Sequence, residues 1–298
     1  MTEQVVILFV FMVIGFVLAK TKVVNEEKAQ VLSAITVYAL LPAKVFKTFR
    51  NDFTVEYLSK NYSIIISSVV ILVILALITA LISKLFTKNK YEQYIYSYSM
   101  TVPNYGYMGY ALAESILGSA GLVKFMTFGI PFSIYIYAVS IAIFTKTKFN
   151  IKTLLNIPVL STVAGVVAGL INLPVHKTVL TICDSLGGCV APVTMLLAGI
   201  VISTFNIKEV LGNKWIYVAT VLKLIVIPLC VGYVLIFAGF NEVAPIAVLF
   251  CSLPCGLNSI VFPKLINENC KIGAGLTILS SILFLVTVPF VLNLFNIG

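Results

Sequence analysis

The sequence predicts an all-α polytopic membrane protein of ten transmembrane helices, arranged as two inverted five-helix repeats with two broken helices that cross. Composition is the first reason: the chain of 298 residues is 60% hydrophobic and 10% charged, whereas soluble domains carry about 25% charged residues. The second reason is a succession of long apolar runs separated by short links, with a mean hydropathy of +1.08. The third is a proline that interrupts one of these runs in each half of the chain.

Runs of about 20 apolar residues are long enough to cross a bilayer. We predict ten such segments, numbered one to ten in chain order: 4–19, 29–49, 62–86, 92–118, 122–145, 154–172, 178–204, 215–239, 243–265 and 271–295. No link between them is long enough for a separate domain. The basic link after segment five divides the chain into a first repeat, 1–149, and a second repeat, 150–298.

Matched residues in the two halves indicate the repeat. The matched pairs are Gly15 and Gly165, Pro42 and Pro192, and Pro103 and Pro254. The first two pairs are separated by 150 positions and the third by 151. Because each half has an odd number of segments, the second half enters the membrane from the opposite side, which predicts inverted-topology repeats. We interpret Pro42 and Pro192 as structural residues that shape helix packing.

The net charge of +9 is explained by lysines in the links, so we expect no nucleic-acid partner. Links after odd-numbered segments, such as those with Lys88 and Lys208, hold most of the basic residues. Positive links face the cytoplasm, so both termini are predicted to be extracellular in a multi-pass protein of the plasma membrane. The cluster of Lys44, Lys47 and Arg50 argues mildly for the opposite orientation.

The two interrupted segments, TVPNYGYMGY (Thr101–Tyr110) and SLPCGLNSIV (Ser252–Val261), predict a binding site. Each proline removes a backbone donor and disrupts the preceding turn, and such a break cannot face lipid. A helix that restarts in mid-membrane presents free N–H groups and a positive dipole end, which suits a carboxylate. A simple kink is the alternative for one break, but paired breaks favour a site. The candidate substrate-binding residues are Pro103, Asn104, Tyr105, Gly106, Pro254, Cys255, Gly256 and Asn258.

Of the charged residues within the predicted segments, we interpret three as functional candidates: Lys223, Asp184 and Glu114. Lys223, near mid-depth in segment eight, is interpreted as a cation for the substrate or as a proton-linked switch, with snorkelling to the interface as the alternative. Asp184 and Glu114 are candidates for a coupling proton. For Glu114, an interfacial charge at a helix end is the favoured alternative.

Enzyme chemistry is not indicated, because the chain lacks hydrolase, metalloprotease, nucleotide-binding and dinucleotide-binding motifs. The single histidine, His176, offers no histidine cluster for a metal. The six cysteines lie mostly in apolar runs and are interpreted as small hydrophobic residues. We therefore expect no catalytic residue, no metal and no cofactor.

Five stretches resemble the auxin efflux carrier (PIN-like) family of secondary transporters, which belongs with the bile acid sodium symporters in one superfamily. They are LLPAKVF at Pro42, VPNYGYMGY at Pro103, APVTMLLAG at Pro192, KLIVIP at Lys223 and LPCGLNS at Pro254. The resemblance implies a scaffold domain from helices 1, 2, 6 and 7. It also implies a transport domain from helices 3–5 and 8–10, which moves like an elevator to give alternating access. Where the family often has Asn-Thr-Gly, this chain has Tyr105 between Asn104 and Gly106.

The predicted function is secondary active transport of small organic anions, carboxylates of the malate, malonate or auxin type, with a proton as one candidate coupling ion. The alternatives are a sodium-coupled symporter of the bile acid type and a solute or ion channel. The predicted partners are the substrate, the coupling proton or sodium ion, the lipid bilayer and a second copy of the chain in a homodimer.

Overall fold

A computed structural model describes residues 2–148, 150–205 and 212–297. Within these ranges the chain is helical, apart from short links and one isolated antiparallel bridge between Pro103 and Cys255. Lys208, which contributed to the topology prediction, lies outside the described residues.

Three helices of the first half start at side-chain capping residues. The helices of this half are α1 (Thr2–Lys20), α2 (Glu26–Ile35), α3 (Leu41–Asp52), α4 (Val55–Phe86), α5 (Lys90–Thr101), α6 (Tyr110–Ile134) and α7 (Ile141–Phe144). π-Helical turns at Thr36–Leu40, Tyr105–Gly109 and Tyr135–Ser140 connect neighbouring helices. The side chains of Asn25, Thr54 and Asn89 accept N–H bonds at the starts of α2, α4 and α5. Such caps satisfy N–H groups that have no partner within the helix.

The second half is also a succession of helices joined by short turns. Its helices are α8 (Ile157–Leu170), α9 (Lys177–Gly188), α10 (Val190–Ser203), α11 (Lys214–Val221), α12 (Ile227–Phe237), α13 (Ala244–Ser252), α14 (Asn258–Lys264) and α15 (Lys271–Leu294). A 3₁₀ turn at Ile151–Leu154 precedes α8, and a π-helical turn at Leu222–Val226 joins α11 to α12. Asn156 and Asn213 cap α8 and α11.

Six helical stretches of the described chain are long and apolar enough to cross a membrane. They are Glu27–Asp52, Val55–Phe86, Tyr105–Phe144, Lys177–Ser203, Lys214–Phe237 and Lys271–Leu294. The chain is therefore a multi-pass, all-helical protein, as the composition predicts. Helices cover most of each of the ten predicted segments, and the backbone of the stretch Tyr105–Phe144 breaks at Gly118, where φ is 69°. The number of crossings itself stays a prediction.

The helices pack in two groups. In the first group α1 lies against α10, and α3 lies against both α8 and α9. In the second group α4 lies against α5 and α6, α12 lies against α13, and α15 contacts α5, α11 and α13. The two groups meet where α3 contacts α6 and where α10 contacts the π-helical turn Tyr105–Gly109. Pro42 follows the π-helical turn Thr36–Leu40, and Pro192 follows the turn at Cys189, so each lies where the regular α-helix of its stretch is interrupted.

Two glycines bring the backbones of the first group into close contact. A Cβ atom at Gly15 of α1 would lie 2.0 Å from the carbonyl oxygen of Leu196 in α10. A Cβ atom at Gly165 of α8 would lie 3.0 Å from the carbonyl oxygen of Phe46 in α3. Small residues of this kind let membrane helices approach at backbone distance. The glycines are 150 positions apart in sequence, and so are the two residues that they contact.

Candidate substrate-binding site at two paired helix breaks

Both predicted helix breaks are present, and each begins at the residue before a proline. Helix α5 ends at Thr101, and Val102 has the extended angles φ −102° and ψ 109°. Helix α13 ends at Ser252, and Leu253 is extended with φ −68° and ψ 152°. A residue before proline avoids the helical region because the proline ring clashes with its backbone. The sequence pattern Val-Pro or Leu-Pro within an apolar run thus stops each helix inside the protein.

The two breaks bind each other through their backbones. The N–H of Asn104 donates to the carbonyl of Pro254 at 2.8 Å, and the N–H of Gly256 donates to the carbonyl of Val102 at 3.3 Å. The N–H of Cys255 donates to the hydroxyl of Ser280 in α15 at 3.0 Å. Buried backbone groups need such partners, so each break supplies what the other lacks. The sequence predicts free N–H groups at each break, whereas those of Asn104, Cys255 and Gly256 are occupied.

A cavity of about 90 Å³ lies beside the paired breaks. Six of the predicted substrate-binding residues line it: Pro103, Asn104, Tyr105, Gly106, Gly256 and Asn258. The first helix group contributes Val37, Leu41, Val45, Pro158 and Thr162, so the cavity lies where the two groups meet. All lining residues of the described chain are uncharged. A ligand here would be held by amides, hydroxyls and helix ends.

Tyrosines form much of the cavity wall. Tyr98, Tyr107, Tyr110 and Tyr137 line it together with Tyr105. The hydroxyl of Tyr105 lies 2.6 Å from the hydroxyl of Ser133. Its ring stacks on Phe250 of α13 with the ring centroids 5.0 Å apart. These contacts fix the Tyr105 ring as part of the packed wall.

Three predicted substrate-binding residues lie away from the cavity. The carbonyl of Pro254 is occupied by Asn104, and Cys255 is fully buried behind the break. Lys223, in the π-helical turn Leu222–Val226, is also fully buried. Its ammonium has no hydrogen-bond partner among the described residues, and the thiols of Cys251 and Cys255 are its electrostatic neighbours. Full burial is incompatible with snorkelling, which would bring the ammonium to the surface.

The sequence matches the family described as membrane transport protein twice, over residues 1–151 and 142–292. The chain belongs to this family, that of the auxin efflux carriers. It is also 22% identical, over 97% of its length and 96% of the relative's, to an uncharacterized transporter of Methanothermobacter thermautotrophicus. Family and relative indicate a transporter rather than an enzyme.

Two lysines of α3 bind Glu114 and Asp184, the two carboxylates that the sequence indicates as candidates for a coupling proton. Lys44 donates to Glu114 of α6 at 2.6 Å, and Lys47 donates to Asp184 of α9. The side chains of Glu114 and Asp184 are 48% and 67% exposed. Each carboxylate therefore has a lysine partner and is also exposed at the surface of the protein. Topology was the only role that the sequence indicated for these lysines.

Some residues of the carrier's cavity were not predicted. The position of Tyr98 could have been predicted from the sequence, because Tyr98 lies four residues before Val102 and thus on the same helix face as the break. No local sequence pattern indicates Val37, Pro158 and Thr162, because they reach the cavity only through packing of the first helix group against the second.

Proposed function

We propose that this chain is a secondary active transporter of small organic anions, with the substrate bound beside the paired helix breaks. The observation that carries the proposal is the position of the cavity. It contacts Asn104 and Gly106 of one break, Gly256 and Asn258 of the other, and helices of the opposite group. Discontinuous helices that meet in mid-membrane are the best pointer to a transporter binding site.

A carboxylate is the ligand that this chemistry favours. The helical turns that begin at Tyr105 and Asn258 both start at the cavity. Each helix N-terminus stabilises an anion by about 0.3–2 kcal/mol, and the amides of Asn104 and Asn258 add donors. The uncharged lining favours a carboxylate on a small or partly apolar molecule, of the malonate, malate or auxin type.

The proposed mechanism is elevator-type alternating access. Helices α1–α3 and α8–α10 act as the scaffold domain, and α4–α7 and α11–α15 act as the transport domain that carries the substrate. Ten crossings in two inverted five-helix repeats follow the family resemblance. The equal sequence separation of Gly15 from Gly165 and of Phe46 from Leu196 supports the repeat. We further propose extracellular termini in the plasma membrane and a homodimer formed through the scaffold.

Counterflow in proteoliposomes tests the function directly. Vesicles loaded with unlabelled carboxylate should transiently accumulate the labelled compound, whereas a channel gives no counterflow. The compound comes from a thermal-shift screen, in which a ligand at 100 times its dissociation constant stabilises the protein by about 2.7 kcal/mol. A panel of mono- and dicarboxylates with no stabilising member and no counterflow overturns the proposal.

Two asparagine variants then locate the site. Asn104→Ala and Asn258→Ala should each lower counterflow at least about tenfold, because each loses an amide that contacts the substrate. Asn241→Ala, in an exposed link before α13, is the matched control and should transport normally. Normal transport by both site variants would move the binding site elsewhere.

The same vesicles separate the coupling alternatives. A proton-coupled carrier concentrates substrate when a pH gradient is imposed in sodium-free buffer. A sodium-coupled carrier of the bile acid type concentrates it only when a sodium gradient is imposed. Concentration by neither gradient indicates a facilitative carrier.

A further inference from the structure

A long apolar groove runs between α4 and the helical stretch Lys214–Phe237, on the side of the second helix group. Its volume is about 430 Å³, and its walls are almost entirely aliphatic. Only Ser67 and Thr79 among its lining residues carry a hydroxyl, and the Thr79 hydroxyl donates to the carbonyl of Leu75 at 2.7 Å. The groove therefore offers hydrocarbon contacts and does not provide the polar contacts that an anionic substrate would need.

The length and apolar composition of its walls would place the groove at the depth of the lipid hydrocarbon. Both of its walls are helices long and apolar enough to cross a membrane. It extends along α4 from Ile66 to Ile82, which at 1.5 Å per residue is about 24 Å. The hydrocarbon core of a bilayer is about 30 Å thick. An empty groove there would lose dispersion contacts, so a lipid acyl chain is the occupant that these walls favour.

One end of the groove carries positive charge. There the ring of Phe86, at the end of α4, stacks on Trp215 of α11 with the centroids 5.0 Å apart. Lys84 and Lys214 lie within two residues of this ring pair, and Lys88 follows it in the next link. All three lysines are exposed, and none forms an ion pair with a described residue. Lys214 lies 5.1 Å from the centroid of the Trp215 ring.

At the other end of the groove, the described residues that are adjacent in sequence include no unpaired lysine or arginine. This end reaches Phe240, near the start of α4. Near the start of α4, Lys60 donates to Glu56 at 2.7 Å. The first charged residue after Phe240 is the acidic Glu242. A phosphate group would therefore be attracted to the lysine end. Tryptophan is also enriched at the level of lipid headgroups, which places Trp215 at the same boundary.

We propose that this groove is a binding site for an anionic phospholipid. One acyl chain lies between α4 and α12, and the phosphate contacts Lys84, Lys88 and Lys214. Basic residues at the end of an interhelical groove select lipids with a negatively charged headgroup, while the aliphatic walls exclude a free phosphate compound. The inference does not depend on the identity of the transported substrate.

The single tryptophan of the chain makes the test direct. The full-length protein is reconstituted in vesicles with bromine on the acyl chains of either phosphatidylglycerol or phosphatidylcholine. Bromine close to Trp215 quenches its fluorescence. We expect brominated phosphatidylglycerol to quench with a relative binding constant at least about fivefold higher. Equal quenching by the two lipids overturns the proposal.

Variants separate the headgroup contacts from the groove. Combined Lys84→Gln, Lys88→Gln and Lys214→Gln should abolish the preference for phosphatidylglycerol. Lys148→Gln with Lys152→Gln, two exposed lysines in another link, should leave the preference intact. A preference that survives in the triple variant refutes the headgroup contacts.

The groove has its own variant. Val231→Phe, which fills the groove, should reduce specific quenching by phosphatidylglycerol, and unchanged quenching contradicts a chain in the groove. If this variant fails to fold, the lysine variants still decide the question. An excess of inorganic phosphate should not relieve the quenching, and relief would indicate a phosphate site without a lipid chain.

Discussion

Lys44 and Glu114 form an ion pair that joins the two helix groups, with the ammonium 2.6 Å from the carboxylate. Lys44 lies on α3 of the first group and is 13% exposed, whereas Glu114 lies on α6, just after the first break. The pair spans the boundary across which the proposed elevator movement would take place. It therefore has to open whenever the two groups slide past each other.

Charge reversal tests this pair. Lys44→Glu and Glu114→Lys each place like charges together, so each should lower the melting temperature and alter the rate of counterflow. The double variant restores opposite charges and should recover part of both losses, with a coupling free energy of about 0.5–1 kcal/mol for a partly exposed pair. If the effect of the double variant equals the sum of the two single effects, the pair is not coupled.

Backbone contact between α1 and α10 makes Gly15 sensitive to substitution. The Cβ of Gly15→Ala would lie 2.0 Å from the carbonyl oxygen of Leu196, and backbone cannot move aside as a side chain can. Overpacking costs about 1–3 kcal/mol, so the melting temperature should fall clearly. Gly188→Ala, at the end of α9 with no atom within 4 Å of the new Cβ, is the control. Equal melting temperatures for the two variants would contradict this packing.

Gly106, unlike Gly15, has room for a side chain. A Cβ atom at Gly106 would have no protein atom within 4 Å and would enter the space beside the cavity. Gly106→Ala should keep the melting temperature of the parent and weaken substrate binding several-fold by occupying space that the ligand needs. Gly109→Ala, three residues on, would place its Cβ 2.6 Å from the Leu253 side chain and should instead lower stability. A Gly106→Ala protein with unchanged affinity would argue against a ligand at this position.

Local chemistry explains what the sequence could predict. The breaks follow from Val102 and Leu253, each held extended by the proline after it, and the apolar runs follow from composition. The ion pair of Lys44 and Glu114 joins residues 70 positions apart, and nothing in either local sequence signals it. The depth of Lys223 could be inferred from its position in an apolar run. Its side of the helix could not, because that depends on how the second helix group packs.

Lys223 leads to the last prediction. A fully buried ammonium with no hydrogen-bond partner among the described residues is costly, since removing such a charge from water requires several kcal/mol. Lys223→Met replaces it with an apolar side chain that fits the same space, so the variant should unfold at a higher temperature. Because Lys223 does not line the cavity, the variant should also keep its substrate affinity within about twofold, a change below about 0.4 kcal/mol.

The role left for Lys223 is that of a proton-linked switch. Under this hypothesis the Lys223→Met carrier still exchanges labelled for unlabelled substrate, but a pH gradient no longer drives accumulation. Lys124→Met, which removes a partly buried lysine of α6, serves as the control and should keep the response to the gradient. Exchange assays with and without the gradient measure both properties on the same vesicles. An unchanged response to the pH gradient in Lys223→Met would refute the switch, and a large loss of affinity would instead restore the ammonium as a partner of the substrate anion.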